Sequence, residues 1–207
     1  MKRTLFIIII LIFNICLSQN EDKTNHLDFQ KEFMIKAEEN ILKNELGKAY
    51  FSYQFALHQD STSVNGIIAL RKSDSLKLIL RNKLKLEIIG VWKLKKFANG
   101  MILKKTDDNL EFDKILIISN SEISFYEQNK KTQKNEFIKR EKIQFNNIPD
   151  LWPAYSELIY SDKQIWSFTL IENGKNLKIK NTGKVINEKS REQMLSGNSE
   201  LFYERIK

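Results

Sequence analysis

The run Leu86-Glu87-Ile88-Ile89-Gly90-Val91-Trp92-Lys93-Leu94 constrains the fold most, because the spacing of apolar side chains changes there. Before it they recur every three or four residues, the period of a helix; after it they alternate, the period of a strand. A chain patterned in two blocks predicts an α+β protein, with a helical region over residues 28–86 and a β-rich region over 87–207. At 42% apolar and 29% charged residues, the 207-residue chain can bury a core and keep a solvated surface, so global disorder is not expected.

The N-terminus reads as an export signal over residues 1–18. Lys2 and Arg3 form a basic start, Leu5 to Ile15 an apolar stretch too short to span a bilayer, and Cys16-Leu17-Ser18 a cleavage context before Gln19. The expected location is therefore periplasmic or secreted. Anchoring of a lipid at Cys16 is the competing reading, disfavoured by the bulky Ile15 directly before it. Cleavage before Gln19 leaves no cysteine, hence no disulfide, thiol nucleophile or thiolate metal ligand. It also removes Lys2 and Arg3, which lowers the formal charge from +8 to +6. Basic and acidic residues alternate, as in Lys139-Arg140-Glu141-Lys142, and no Lys/Arg run carries interleaved aromatics, so nucleic-acid binding is not expected.

Two helices are predicted first, from Asp28 to Lys43 with the stripe Phe29, Phe33, Ala37 and Ile41, and from Leu46 to Gln59 with Ala49, Tyr53 and Ala56 on one face. The short break at Asn44-Glu45 makes them an antiparallel hairpin. Lys43-Asn44-Glu45-Leu46-Gly47-Lys48-Ala49, followed by Tyr53, Ala56 and Leu57, resembles the turn and second helix of a tetratricopeptide repeat, and Phe33 and Ala37 fit its first helix. Lys36, Asn40 and Ser61 depart from that pattern, and a generic helical hairpin fits as well. Asp60-Ser61-Thr62-Ser63 caps a third helical segment with the stripe Leu76, Ile79, Leu80 and Leu84, which Ser73-Asp74-Ser75 could divide, so two to four helices are expected before a domain break near residue 86.

Eight strands are predicted beyond it, at residues 92–97, 114–118, 122–127, 137–145, 155–160, 164–171, 177–180 and 201–206. Short turns such as Ser119-Asn120-Ser121 and Glu172-Asn173-Gly174-Lys175 connect them. Such a series predicts an eight-stranded antiparallel up-and-down β-barrel, since closure removes exposed edges. Gly90-Val91-Trp92 with Leu94, and the aromatic end Phe202-Tyr203-Glu204-Arg205-Ile206, resemble the first and last strands of a lipocalin-like domain. The resemblance implies that Arg205 packs across Trp92 and closes the barrel base together with Gly90.

No catalytic constellation is legible. His26 and His58 stand alone, without Cys, His or paired carboxylates at ligand spacing, so neither a metal nor another cofactor is expected. There is no nucleophile elbow, phosphate loop or dinucleotide fingerprint. The hydroxyls of Met194-Leu195-Ser196-Gly197-Asn198-Ser199 lack a neighbouring base. Carboxylate pairs formed only in three dimensions remain open.

Binding is the better-supported class, because an eight-stranded barrel is wide enough for one small ligand. Alternation in residues 164–171 puts Trp166, Phe168 and Leu170 on one face, the expected interior, joined by Phe125, Phe145 and Leu177; the same side chains could equally fill the barrel. Trp152, between Pro149 and Pro153, is a candidate flap over the mouth or a staple to the outer wall. The expected function is an exported, non-catalytic binder of a small apolar or amphipathic ligand, without a membrane span in the mature chain. The alternative is a protein-interaction module of the cell envelope that uses residues 28–86, with the barrel as a filled scaffold.

Overall fold

The computed structural model describes residues 27–99, 102–106, 110–148, 154–194 and 198–207. The expectations for the export signal, Cys16 and His26 lie outside them, as do those for Trp152 and for Leu195 to Gly197. Three helices, α1 (residues 27–42), α2 (Leu46–Gln59) and α3 (Val64–Glu87), precede a ten-stranded antiparallel sheet, so the protein is α+β. The chain divides into two compact units between Ile79 and Leu80, inside α3.

In the first unit the α1–α2 turn is built by Asn44, whose φ of 57° lies in the left-handed region. The Glu45 N–H bonds the Asn40 carbonyl at 2.8 Å and the Asn44 N–H bonds that of Ile41 at 2.9 Å, which satisfies the last carbonyls of α1. Ala37, Ala49, Ala56 and Ala69 are fully buried, with Tyr50 and Tyr53 between them. Small residues at these positions let helix backbones approach closely. Phe29, expected on the inner stripe, is instead exposed, because buried Gln30 takes that position. The Gln30 amide donates to the Ala56 and Asp60 carbonyls at 2.9 and 2.7 Å and accepts from the Ser63 hydroxyl at 2.7 Å. Ser63 also accepts the Gly66 N–H at 2.9 Å and so caps α3. Ile79, expected to be inward, is exposed, while Leu76 is buried.

The second unit holds the end of α3 and ten strands: β1 (Gly90–Asn99), β2 (Ile102–Lys105), β3 (Phe112–Ile118), β4 (Glu122–Asn129), β5 (Asn135–Lys142), β6 (Glu157–Ile159), β7 (Gln164–Ile171), β8 (Asn176–Asn187), β9 (Ser190–Gln193) and β10 (Ser199–Arg205). Their order is β5-β4-β3-β1-β10-β8-β7-β6, with β2 paired to β1 and β9 to β8. The eight-stranded barrel is therefore corrected to a ten-stranded sheet that does not close. β2 and β9 were not expected: all four side chains of β2 are exposed, and Ser190-Arg191-Glu192-Gln193 is wholly polar. First and last strands do pair, β1 against β10, in the middle of the sheet. The path ends instead at β5 and β6, where an isolated bridge, Phe145 to Leu158, stands in place of a ladder. Arg81 anchors the segment between these strands: it donates to the Asn147 side chain at 2.6 Å, to the Tyr155 carbonyl at 3.3 Å and to the Asn146 carbonyl, with its guanidinium 4.9 Å from the Phe145 ring centre.

One core packs against the sheet. Trp92, Leu116, Ile123, Leu158, Phe168, Leu177 and Ile179 belong to it, together with Leu84 and Ile88 from the end of α3 and the turn after it.

Candidate functional site

The site grows from a fork in β1. Its first half, Gly90 to Lys93, pairs with β3; its second half, Lys96 to Asn99, pairs with β2. At the fork a bulge leaves Lys95 as an extra residue opposite β10, and the Lys95 carbonyl accepts both the backbone N–H and the hydroxyl of Thr106, at 2.9 and 3.1 Å. A bulge bends its strand and increases the twist, so β2 swings away from β3. The gap is a cavity of about 690 Å³. Leu94, Phe97, Leu110, Phe112 and Leu201 give it an apolar lining, and three basic residues, Lys104, Lys105 and Lys114, and three acidic ones, Glu111, Asp113 and Glu127, add charge. Leu94 is at once lining and core, so the floor of the cleft is the core itself. Lys114 and Glu127 face one another across β3 and β4.

The residues expected to bind ligand lie elsewhere. Phe168 and Leu177 are inside the core, and Phe125, Phe145, Trp166 and Leu170 pack against it half-buried. Trp166 stacks on Tyr160 with ring centres 5.9 Å apart, and Phe125 meets Tyr160 edge-on at 6.0 Å. Burial raises the Tyr160 hydroxyl well above its ordinary value. The Trp166 indole N–H is buried and has no hydrogen-bond partner among the described residues. The expected alternation of β7 is not kept: Ile165 and Phe168, three residues apart, are the two fully buried side chains of that strand, and Thr182 of β8 is an extra residue opposite Ile165 and Trp166. Leu170 borders an open depression with Gly174, Lys175 and Arg205.

Gly90, Trp92 and Arg205 form a structural knot. The Arg205 guanidinium lies 4.2 Å from the Trp92 ring centre, and its nitrogens donate to the carbonyls of Glu87, Ile89 and Gly174. The Trp92 indole donates to the Ile88 carbonyl at 2.9 Å. The carbonyls of Glu87, Ile88 and Ile89 lie at and just after the end of α3, where a helix leaves acceptors without partners and favours a cation; that of Gly174 lies in the turn between β7 and β8. Gly90 has a φ of 147°, and a Cβ there would come within 2.7 Å of the Lys207 carbonyl. Each of the three Arg205 nitrogens donates to a backbone carbonyl, so the knot holds strands together.

Two buried carboxylates were not legible in the sequence. Glu157 pairs with Arg191 at 2.5 Å and accepts from Asn146 at 2.8 Å and Thr182 at 2.7 Å; Arg191 also donates to the Thr182 carbonyl at 3.0 Å. Glu141 accepts the Ser161 N–H at 2.7 Å and pairs with Lys139 at 3.0 Å. Burial works to raise the Glu141 carboxyl, but the Ser161 N–H and Lys139 outweigh it and hold it below the usual range. Lys139 in turn lies 5.0 Å from the Phe125 ring centre and 5.2 Å from that of Tyr160. The four residues of this network, Glu157, Arg191, Asn146 and Thr182, come from separate parts of the chain, so no local pattern announces it.

Among the described residues no group of three or more His, Cys, Asp or Glu is gathered to hold a metal ion, and no helix is long and apolar enough to cross a membrane. No family model matches this chain, and neither a curated protein nor a solved structure matches it.

Proposed function

We propose that this chain is an exported, non-catalytic binding protein that holds a small apolar or amphipathic ligand in the cleft between β2 and β3. The observation that carries the reading is the cavity itself. Its volume of about 690 Å³ falls among small-molecule sites, roughly 300–1,000 Å³, and most of its lining surface is apolar, as is usual in such sites. Lys104, Lys114 and Glu127 would orient a polar end while Leu94, Phe97, Phe112 and Leu201 cover the apolar body. Export rests on residues 1–18 and places the protein in the periplasm or outside the cell, with attachment at Cys16 as the competing form. Native mass spectrometry of protein recovered from its own cell envelope tests the reading: a retained small molecule is expected, and Phe97→Arg or Leu201→Arg should abolish it. A protein that carries no adduct, or an adduct indifferent to both variants, would sink the proposal.

One observation favours the second reading, a protein-interaction module built on the helices. α3 turns Gly66, Ala69, Ser73 and Leu76 inward, while Val64, Ile67, Ile68, Leu78 and Ile79 on its opposite face are exposed. Solvated apolar stripes of this kind mark contact surfaces. Loss of a defined envelope complex on Ile68→Asp, with the ligand retained, would favour this reading over the first.

A further inference from the structure

The hairpin formed by β1 and β2 carries unbalanced charge. Its register sets Lys96 opposite Lys105 and Phe97 opposite Lys104. Like charges directly opposite one another destabilise an antiparallel pair. Elsewhere on β1 the lysines are neutralised, Lys93 by Asp113 at 2.6 Å and Lys95 by Glu204 at 3.0 Å. Lys96, Lys104 and Lys105 form no ion pair among the described residues. Among the described residues the hairpin thus presents three ammonium groups without an ion-pair partner, and an external anion would relieve the repulsion between the two that face one another, Lys96 and Lys105.

The same strand is apolar towards its turn. Ile102 is 63% exposed and Leu103 57%. Because successive residues of a strand point to opposite faces, Leu103 shares one face with Lys105 and Ile102 the other with Lys104. Each face of β2 therefore carries an aliphatic side chain nearer the turn and an ammonium group two residues further in. That is the order of chemistry met on entering a bilayer interface in reverse: acyl chains deepest, phosphates above them. A nucleic acid would supply the phosphates but would leave Ile102 and Leu103 solvated, and neither can stack on a base.

We propose that the β1–β2 hairpin docks the protein on an anionic membrane surface, with Ile102 and Leu103 entering the headgroup boundary and Lys96, Lys104 and Lys105 meeting lipid phosphates. The inference does not require a ligand in the cleft, although Lys104, placed above against a ligand's polar end, takes part in both. The two are neighbours in space, because Lys104 and Lys105 also border the cleft.

The test is co-sedimentation of the protein, in the form its own cells process, with vesicles of phosphatidylcholine alone or of phosphatidylcholine and phosphatidylglycerol. Partitioning into the anionic vesicles should be at least ~10-fold stronger and should weaken as salt rises. The triple variant Lys96→Glu, Lys104→Glu and Lys105→Glu should lower it by a factor on the order of 100. The double variant Ile102→Ser and Leu103→Ser should lower it roughly tenfold and leave the salt dependence in place. A control with equal charge change, Lys131→Glu, Lys134→Glu and Lys142→Glu on other exposed positions, should keep strong binding. Equal binding to both vesicles, loss in the control as large as in the triple variant, or indifference to the removal of Ile102 and Leu103 would each overturn the proposal; the last would reveal a general polyanion site. Because all these side chains are exposed, thermal unfolding of every variant should match that of the parent, and a variant that does not is replaced by its single substitutions.

Discussion

Arg205 and Trp92 stand opposite one another on β10 and β1, with the guanidinium 4.2 Å from the centre of the indole ring. The pair joins the two ends of the β-rich unit and also supplies donors to the carbonyls at the end of α3. Trp92→Ala should cost about 3–5 kcal/mol, since it empties a fully buried volume. Arg205→Ala should cost about 2–4 kcal/mol, through a lost cation–π contact and three charged hydrogen bonds. Denaturant unfolding of the two single variants and the double variant should give a coupling energy of about 0.5–2 kcal/mol. A coupling of zero would show that the two side chains act independently.

Glu157 and Arg191 form an ion pair whose side chains are almost wholly removed from solvent. Arg191→Ala leaves a buried carboxylate without its counter-charge and should cost about 3–5 kcal/mol. Replacing both residues by leucine should cost less than that single change, because no unpaired charge remains. Equilibrium unfolding of the three proteins decides it, and a double variant worse than Arg191→Ala would contradict the assignment.

Glu141 should make the protein acid-sensitive. Its folded pKa is lowered, so its stabilisation is complete above the unfolded carboxylate value of about 4.3 and is lost as pH falls through the lower folded value. Glu141→Gln should therefore be less stable than the parent near neutrality, and the gap should narrow below about pH 4. Urea midpoints measured across that range are the check; a constant gap would show that the charge on Glu141 contributes nothing.

In the helical unit the Tyr53 hydroxyl is pushed up to about 12, first by burial and then by its hydrogen bond to Glu38 at 2.5 Å. A raised folded pKa means stabilisation that is complete below the unfolded value of about 10 and is lost as pH rises through about 12. Ultraviolet titration should show one tyrosinate step near there that is missing in Tyr53→Phe. A Tyr53 that ionises at an ordinary value would mean its hydroxyl is solvated.

Gly66 lies where α3 passes the end of α2. A Cβ there would come within 2.0 Å of the Asp60 carbonyl oxygen, a backbone atom that cannot rotate away. Gly66→Ala should destabilise the protein by about 1–3 kcal/mol despite alanine's better helix propensity. A stabilising effect, read from the melting temperature, would place that turn further from α3.

The change of period near Leu86 was enough to foresee helices before it and antiparallel strands after it. Period reports which faces of an element meet the core, and that is a local property of the chain. The same logic found Ala49, Tyr53 and Ala56 in the helical core and Phe168 and Leu177 in the sheet's. It misjudged Phe29, because a buried glutamine with three hydrogen bonds outcompeted a phenylalanine for one position. It also passed over β2, since a strand exposed on both faces has no burial period to read.

Local pattern on its own thus determined the classes of element, their order and most of the core. Tertiary structure alone decided the rest, because the remaining choices depend on hydrogen bonds and ion pairs between residues far apart in the chain. The bulge at Lys95 shifts β1 against β10, and whether such a bulge forms depends on the partner's register. It opens the cleft. The sheet stays open because no ladder joins β5 to β6: only a single bridge, from Phe145 in the segment after β5 to Leu158 of β6, spans the two ends of the path. Glu157 and Arg191 look like ordinary surface residues in sequence, and only the approach of β6, β8 and β9 buries them as a pair.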